Sequence, residues 1–167
     1  MKTLKTIALV LFGVLISTAG YAQQVPKKVV VGPPKVDKFQ ARKVLHRTSI
    51  VIYYAHKQVK ASKNYTGDLA KAIGHQKHAR KLYLQGKYYR AIHHSRVARA
   101  FAVKAIKANK AKEIEECKFT PEEEELLKNG PNDQDLINEL NAANPGAKYK
   151  DEEHMISEPD IDLNADD

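Results

Sequence analysis

The sequence predicts an all-α fold with three main helices, of which two form a central antiparallel hairpin, followed by short acidic helices and a disordered acidic tail. Apolar and small residues recur at helical spacing between residues 38 and 111, and two short breaks divide that stretch into three segments. Charge divides the chain as well. Residues 23–112 hold 22 Lys/Arg and two acids, whereas residues 113–167 hold four Lys/Arg and 18 acids. This separation indicates a basic helical domain and an acidic region that differ in structure and role.

The first 22 residues have the parts of a secretory signal peptide. Lys2 and Lys5 precede an apolar run at 7–16, and Gly20 and Ala22 then supply small side chains for cleavage after residue 22. A membrane anchor is the alternative, but a bilayer-spanning helix needs about 20 apolar residues, and this run is shorter. We therefore expect export to the periplasm or the extracellular space, with no transmembrane segment after cleavage.

A proline-rich linker is predicted at residues 23–36, because Pro33-Pro34 favours extended backbone. The chain has one cysteine, Cys117, so an internal disulfide is excluded. We interpret this cysteine as a small, partly buried hydrophobe, with an intermolecular bridge as the alternative. Packing must then stabilise the fold without covalent links.

The basic domain, residues 37–112, is predicted to hold three helices. Asp37 is a cap for the first, which runs over 38–63. The second runs over 68–85 and ends at Gly86, because glycine readily adopts the left-handed conformation found at helix ends. The third starts at residue 87 or 88 and reaches residue 111. A connection this short makes the second and third helices antiparallel neighbours.

This hairpin resembles a single tetratricopeptide repeat unit over residues 72–105. The positions that match the family's small, apolar and turn residues are Ala79, Leu82, Gly86, Tyr88, Ala91 and Ala98. The chain departs from the family at His75, Ser95 and Val103, where the family has two large aromatic residues and a proline. The resemblance implies that the hairpin binds a partner protein rather than catalysing a reaction. A lone repeat cannot bury its own face, so we expect the first helix to cover it.

The acidic region at 113–146 is predicted to contain two short helices. Thr120 is a cap for the first, over 122–128. The second spans 134–143 and carries Leu136, Ile137 and Leu140 on one face. Beyond it, residues 147–167 combine weak periodicity with high acidity, which predicts disorder.

The density of basic residues on the hairpin predicts an anion-binding surface. Its candidate residues are Lys77, Lys81, Lys87, Arg90 and Arg96. The expected partner is an unknown protein, an acidic glycan or a lipid headgroup of the cell envelope. Nucleic acid is disfavoured because no groove-entering motif is present. The acidic region is a candidate competitor for this surface, since its carboxylates can fold back on the basic helices.

The histidines of the hairpin are a candidate site for zinc, copper or nickel, or for haem. His78 and His94 lie eight residues before and after Gly86, which places them at similar heights on one flank of the hairpin, and His75 lies deeper in the seam. Against a metal, residues 70–111 contain no acid to neutralise a cation or orient an imidazole. Lys81 and Arg90 would also repel it.

We therefore expect these imidazoles to be solvated or packed against tyrosines. The three histidines outside the hairpin, His46, His56 and His154, are expected at the surface.

No catalytic set emerges from the sequence, because the basic half has too few acids and no phosphate-binding or nucleophile motif occurs. The predicted function is therefore non-catalytic: an exported helical adaptor without a cofactor, which binds a protein or an anionic envelope component through its basic surface. The alternative is a small metal- or haem-handling protein that uses His75, His78 and His94.

Overall fold

The computed structural model describes residues 34–155, which are entirely helical apart from their connections, as predicted. The α-helices of this range are α1 (Lys38–Ser62), α2 (Asp68–Leu84), α3 (Tyr88–Ala108), α4 (Pro121–Leu127) and α5 (Asp133–Ala143). Two short 3₁₀ helices, Glu115–Cys117 and Asp151–His154, complete it. Within this range no helix is long and apolar enough to cross a membrane. The predicted signal peptide (1–22) and most of the predicted linker (23–36) lie outside the described residues.

The α2–α3 hairpin is confirmed, and the two helices share the most extensive helix contact of the fold. Gly86 has φ +73°, the left-handed conformation predicted for it, and its N–H donates to the carbonyl of Tyr83 at 2.9 Å. A Cβ at this position would meet nothing within 4 Å. Glycine is therefore favoured here by backbone conformation and not by lack of space.

Small side chains are buried along both helices of the hairpin. The buried alanines of α2 and α3 are Ala70, Ala72, Ala79, Ala91, Ala98, Ala102 and Ala105. Helix α1 packs across both helices, with Val51, Ile52 and Val59 fully buried against the hairpin. The expectation that the first helix covers the hairpin is confirmed.

Local capping fixes the start of α1 as predicted. The Asp37 side chain accepts a hydrogen bond from the Gln40 backbone N–H at 2.8 Å, and the Gln40 side chain accepts one from the Asp37 N–H at 3.1 Å. This reciprocal arrangement satisfies two backbone donors that a helix end leaves free. Thr120 and Glu123 form the same motif at the start of α4.

Helix α3 ends at Ala108, three residues earlier than predicted. Asn109 follows it, and its side-chain amide donates to the carbonyls of Ala105 (2.8 Å) and Asn64 (3.2 Å). Asn64 in turn donates to the carbonyl of Ala108 at 2.8 Å. These bonds tie the end of α3 to the α1–α2 loop, and Lys110 then turns the chain with φ +55°.

The predicted disorder from residue 147 is wrong as far as Met155, because this segment docks on α2. Asp151 is fully buried. Its Oδ2 accepts the backbone N–H groups of Thr66 (2.9 Å) and Gly67 (2.8 Å), and its Oδ1 accepts that of Ala70 (2.9 Å). Helix α2 has no side-chain cap of its own at Gly67. A carboxylate more than 80 residues further along the chain therefore caps it. Residues 156–167 lie outside the described residues.

Replacing Asp151 by alanine is expected to lower the free energy of unfolding by about 2 kcal/mol, because three backbone donors lose a charged acceptor. Urea unfolding followed by circular dichroism measures the change. The neighbouring Glu152 is exposed, so Glu152→Ala is a matched control that should leave stability nearly unchanged. Equal effects of the two substitutions would contradict the capping role of Asp151.

Candidate functional site

The histidines of the hairpin lie inside the protein, contrary to expectation. His75, His93 and His94 expose 1%, 0% and 0% of their surface, and His78 is half-buried. The α4–α5 connection and α5 cover this flank. Gly130 lies directly against His93, where an added Cβ would come within 2.0 Å of the ring. Tyrosine packing is seen at His93, whose ring meets that of Tyr89 edge-on at 4.5 Å.

Three of these histidines form one cluster, with the relative placement that the sequence predicted. The rings of His78 and His94 are neighbours, with centroids 4.4 Å apart. His75 lies behind them in the seam, its Nδ1 3.2 Å from the Nδ1 of His94. On its other side His75 stacks on the ring of Phe101 at 5.7 Å.

Glu139 of α5 is the member of the cluster that sequence reasoning missed. Its Oε1 lies 3.7 Å from the Nε2 of His78 and its Oε2 lies 3.6 Å from the Nε2 of His94, both too long for a direct hydrogen bond. The guanidinium of Arg90 pairs with the same Oε2. Residues 70–111 contain no acid, but in the folded protein α5 brings the carboxylate of Glu139 to the flank of the hairpin.

The apolar face of α5, which the sequence predicts, bears on the position of Glu139. Leu136 and Leu140 were predicted on the apolar face of α5, and both are buried here. Glu139 precedes Leu140 by one residue and therefore flanks the docked face. The signal shows that α5 docks, but not on which part of the hairpin.

Burial keeps the imidazoles of the cluster neutral. It lowers the pKa of His75 to about 3, helped by the neighbouring His94 and His78. It lowers the pKa of His94 to about 4, and Glu139 only partly opposes this. The pKa of Glu139 is lowered, since the hydrogen bond and charge of Arg90 outweigh the effect of burial. At neutral pH the site therefore combines neutral imidazoles with an ionised carboxylate.

The structure divides the predicted anion-binding residues into two groups. Lys77, Lys81 and Lys87 are exposed, and none of them forms an ion pair within residues 34–155. Arg90 is bound to Glu139. Arg96 pairs with Asp133 at 2.6 Å and also donates to the carbonyl of Pro131 at 3.3 Å. The two arginines thus hold α5, and only the three lysines present their charge to solvent unopposed.

The acidic region also reaches the core, through a buried ion pair that the sequence did not reveal. Arg99 donates two bonds to the carboxylate of Glu123, at 2.8 and 2.9 Å, and both side chains are almost fully buried. Its Nε donates to the Thr48 hydroxyl at 3.1 Å, and its guanidinium lies over the Phe119 ring at 4.4 Å. The acidic residues of α4 and α5 therefore fold back on the basic helices, as considered from sequence, but they engage arginines.

Three further residues, each outside the histidine cluster, had an expected burial. His56 is buried, and its Nε2 hydrogen-bonds the carbonyl of His154 at 2.9 Å, so its expected surface position is wrong. His46 is exposed as expected. Cys117 is a buried free thiol whose pKa is raised by burial, in keeping with its interpretation as a small hydrophobe.

No protein-family model matches this chain, and neither curated proteins nor solved structures match it significantly. The tetratricopeptide-like character of residues 72–105 stays a prediction.

Proposed function

We propose that this protein is an exported, non-catalytic helical adaptor that binds a protein or an anionic component of the cell envelope through the basic faces of α1–α3. The observation that carries the proposal is the division between arginines and lysines. The carboxylates of the acidic region take up the arginines Arg47, Arg90, Arg96 and Arg99.

Among residues 34–155, the lysines that are exposed and form no ion pair within that range are a large set on the three main helices and the connections that flank them: Lys38, Lys43, Lys57, Lys60, Lys63, Lys77, Lys81, Lys87, Lys104, Lys110 and Lys112. The internal pairing of charges thus leaves a dense lysine field outside. Exposed lysine ammonium groups are point charges suited to phosphate and carboxylate groups of a polyanion. Among the polyanions outside the cytoplasm we favour lipid headgroups and acidic glycans.

The proposal is tested on vesicles that contain phosphatidylglycerol. The wild-type mature chain should bind them, and its binding should weaken steeply as salt rises. Replacing Lys77, Lys81 and Lys87 by glutamine should weaken binding at fixed salt, by about 1 kcal/mol for each lysine that reaches the surface.

A matched control changes the same net charge in the acidic half, where Lys118, Lys148 and Lys150 are also exposed. Their replacement by glutamine should alter binding much less. Equal losses in the two triple variants would mean that net charge and not the lysine field of the hairpin governs binding. Salt-independent binding would contradict the electrostatic proposal.

The alternative function, metal or haem handling by the hairpin histidines, is favoured in its metal form by the position of Glu139. The haem form is not favoured at His94, since its ring is fully buried and Glu139 lies 3.6 Å from its Nε2, where a porphyrin would have to sit. A metal site at these residues does not depend on the adaptor proposal.

A further inference from the structure

We propose that His78, His94 and Glu139 form a binding site for one divalent transition-metal ion, for which zinc is the probe. The first observation is that two buried imidazole nitrogens lack a hydrogen-bond partner. The Nε2 atoms of His78 and His94 are both buried, and neither has a hydrogen-bond partner within the described part of the chain. Buried polar atoms nearly always have a partner, and an ion is one of the groups that meets such a need.

The second observation is that the potential ligand atoms of the three residues lie close together. One ligand atom from each of the three residues lies within 4.8 Å of the others. Zinc binds imidazole nitrogen and carboxylate oxygen at about 2.0–2.2 Å, and two ligands of a tetrahedral ion then lie about 3.4 Å apart. The nitrogen–oxygen distances here are 3.7 and 3.6 Å. These two spacings, one to each oxygen of Glu139, are within a few tenths of an ångström of that value, while the full set of ligand atoms, spread over up to 4.8 Å, needs up to about 1.4 Å of closure to hold the ion.

The third observation concerns the proton of His94. To bind a metal through Nε2, a neutral imidazole must carry its proton on Nδ1, and metal-binding histidines usually donate that proton to a neighbouring acceptor. The Nδ1 of His94 lies 3.2 Å from the Nδ1 of His75. His75 is thus a positioning residue whose neutral Nδ1 accepts a hydrogen bond from this N–H, and not a third nitrogen ligand.

The fourth observation is the set of ligand types. Glu139 supplies one negative charge, and Arg90 binds its Oε2. The Oε1 that faces His78 is left for the ion. Two histidines and one carboxylate, with a fourth position for water, are a ligand set that proteins use for zinc. Copper and nickel accept the same ligands and are compared in the test.

The test uses the full mature chain without a histidine tag, treated with EDTA, dialysed, and titrated with zinc chloride against a chromophoric chelator. We expect one zinc ion per chain and an increase of the melting temperature on zinc addition. Glu139→Gln and His78→Gln should each weaken zinc binding by about 100-fold or more. His46→Gln is the matched control, because His46 is exposed and outside the cluster, and it should bind as the wild type does.

X-ray absorption at the zinc edge should show two imidazoles and oxygen ligands in the wild type. Parallel titrations with copper and nickel salts identify the preferred ion. Zinc binding that is equal in the wild type and in both cluster variants would overturn the site, as would the absence of zinc binding by folded wild-type protein. Circular dichroism of each variant shows whether it is folded. His78 lies at the margin of the cluster, so its variant keeps the test decisive if Glu139→Gln does not fold.

Discussion

Replacing Arg99 by methionine is expected to lower the free energy of unfolding by about 3–5 kcal/mol, the cost of leaving one buried charge without its partner. Both side chains of the Arg99–Glu123 pair are almost fully buried, at 1% and 6% exposure. Glu123 would lose both of its close bonds to Arg99, and the more exposed Arg47, 3.6 Å away, would be its remaining cation. Urea unfolding at neutral pH measures the effect.

Three further variants, Glu123→Met, the double variant and Arg96→Met, separate the ion pair from general packing. Replacing both Arg99 and Glu123 by methionine removes both charges at once, so the double variant should lose much less stability than the sum of the two single variants. Arg96→Met is the matched control. Its side chain is 25% exposed and its partner Asp133 is 57% exposed. A pair this exposed contributes about 0–1 kcal/mol. Additive losses at Arg99 and Glu123 would contradict their coupling.

Acid is expected to destabilise the metal-free protein steeply between pH 6.5 and pH 4. Burial lowers the pKa of His75 to about 3 and the pKa values of His93 and His94 to about 4, from an ordinary value of 6.5. The unfolded chain therefore takes up protons at a higher pH than the native protein does. The contribution of these histidines is fully present above pH 6.5 and is lost as the pH falls toward their folded-state pKa values. Each buried imidazole adds a slope of up to about 1.4 kcal/mol per pH unit.

His93 offers the sharpest test of this pH dependence. Neither of its ring nitrogens has a hydrogen-bond partner in the described residues, so phenylalanine can replace it without the loss of a bond. We expect the His93→Phe variant to be more stable than the wild type at pH 5. We also expect it to take up about one proton fewer on unfolding, which reduces the dependence of its free energy of unfolding on pH. Urea unfolding in EDTA between pH 7.5 and pH 4.5 measures the slope. The exposed His46→Gln control should keep the wild-type slope. An unchanged slope in His93→Phe would contradict the prediction.

The helices were predictable because their signals are local. The caps at Asp37 and Thr120 and the turn at Gly86 each act within four residues of the chain, and all three were identified from the sequence. The end of α3 was placed too late, since the bonds that stop it come from Asn64, in a loop 45 residues away. Local patterns fix where a helix can form, whereas distant partners decide where it stops.

The candidate site was only half predictable. The heights of His78 and His94 follow from their equal distance from Gly86, and the structure places these two side by side as expected. Their burial and the carboxylate beside them depend on α5, which supplies Glu139 from 45 residues or more along the chain. No local pattern specifies on which flank of the hairpin a short acidic helix docks.

By itself the sequence determined that the described chain is helical, that two of its helices form a hairpin, and that basic and acidic residues are segregated. These follow from helical periodicity, turn chemistry and composition, which are properties of neighbouring residues. Only the tertiary structure decided which charged side chains form ion pairs within the protein and which face solvent. Arg99 is buried on Glu123 and Arg90 holds Glu139, while Lys77 and Lys81 stay outside. The physical reason is that a charge leaves water only where a distant partner is brought to meet it, and folding alone creates that proximity.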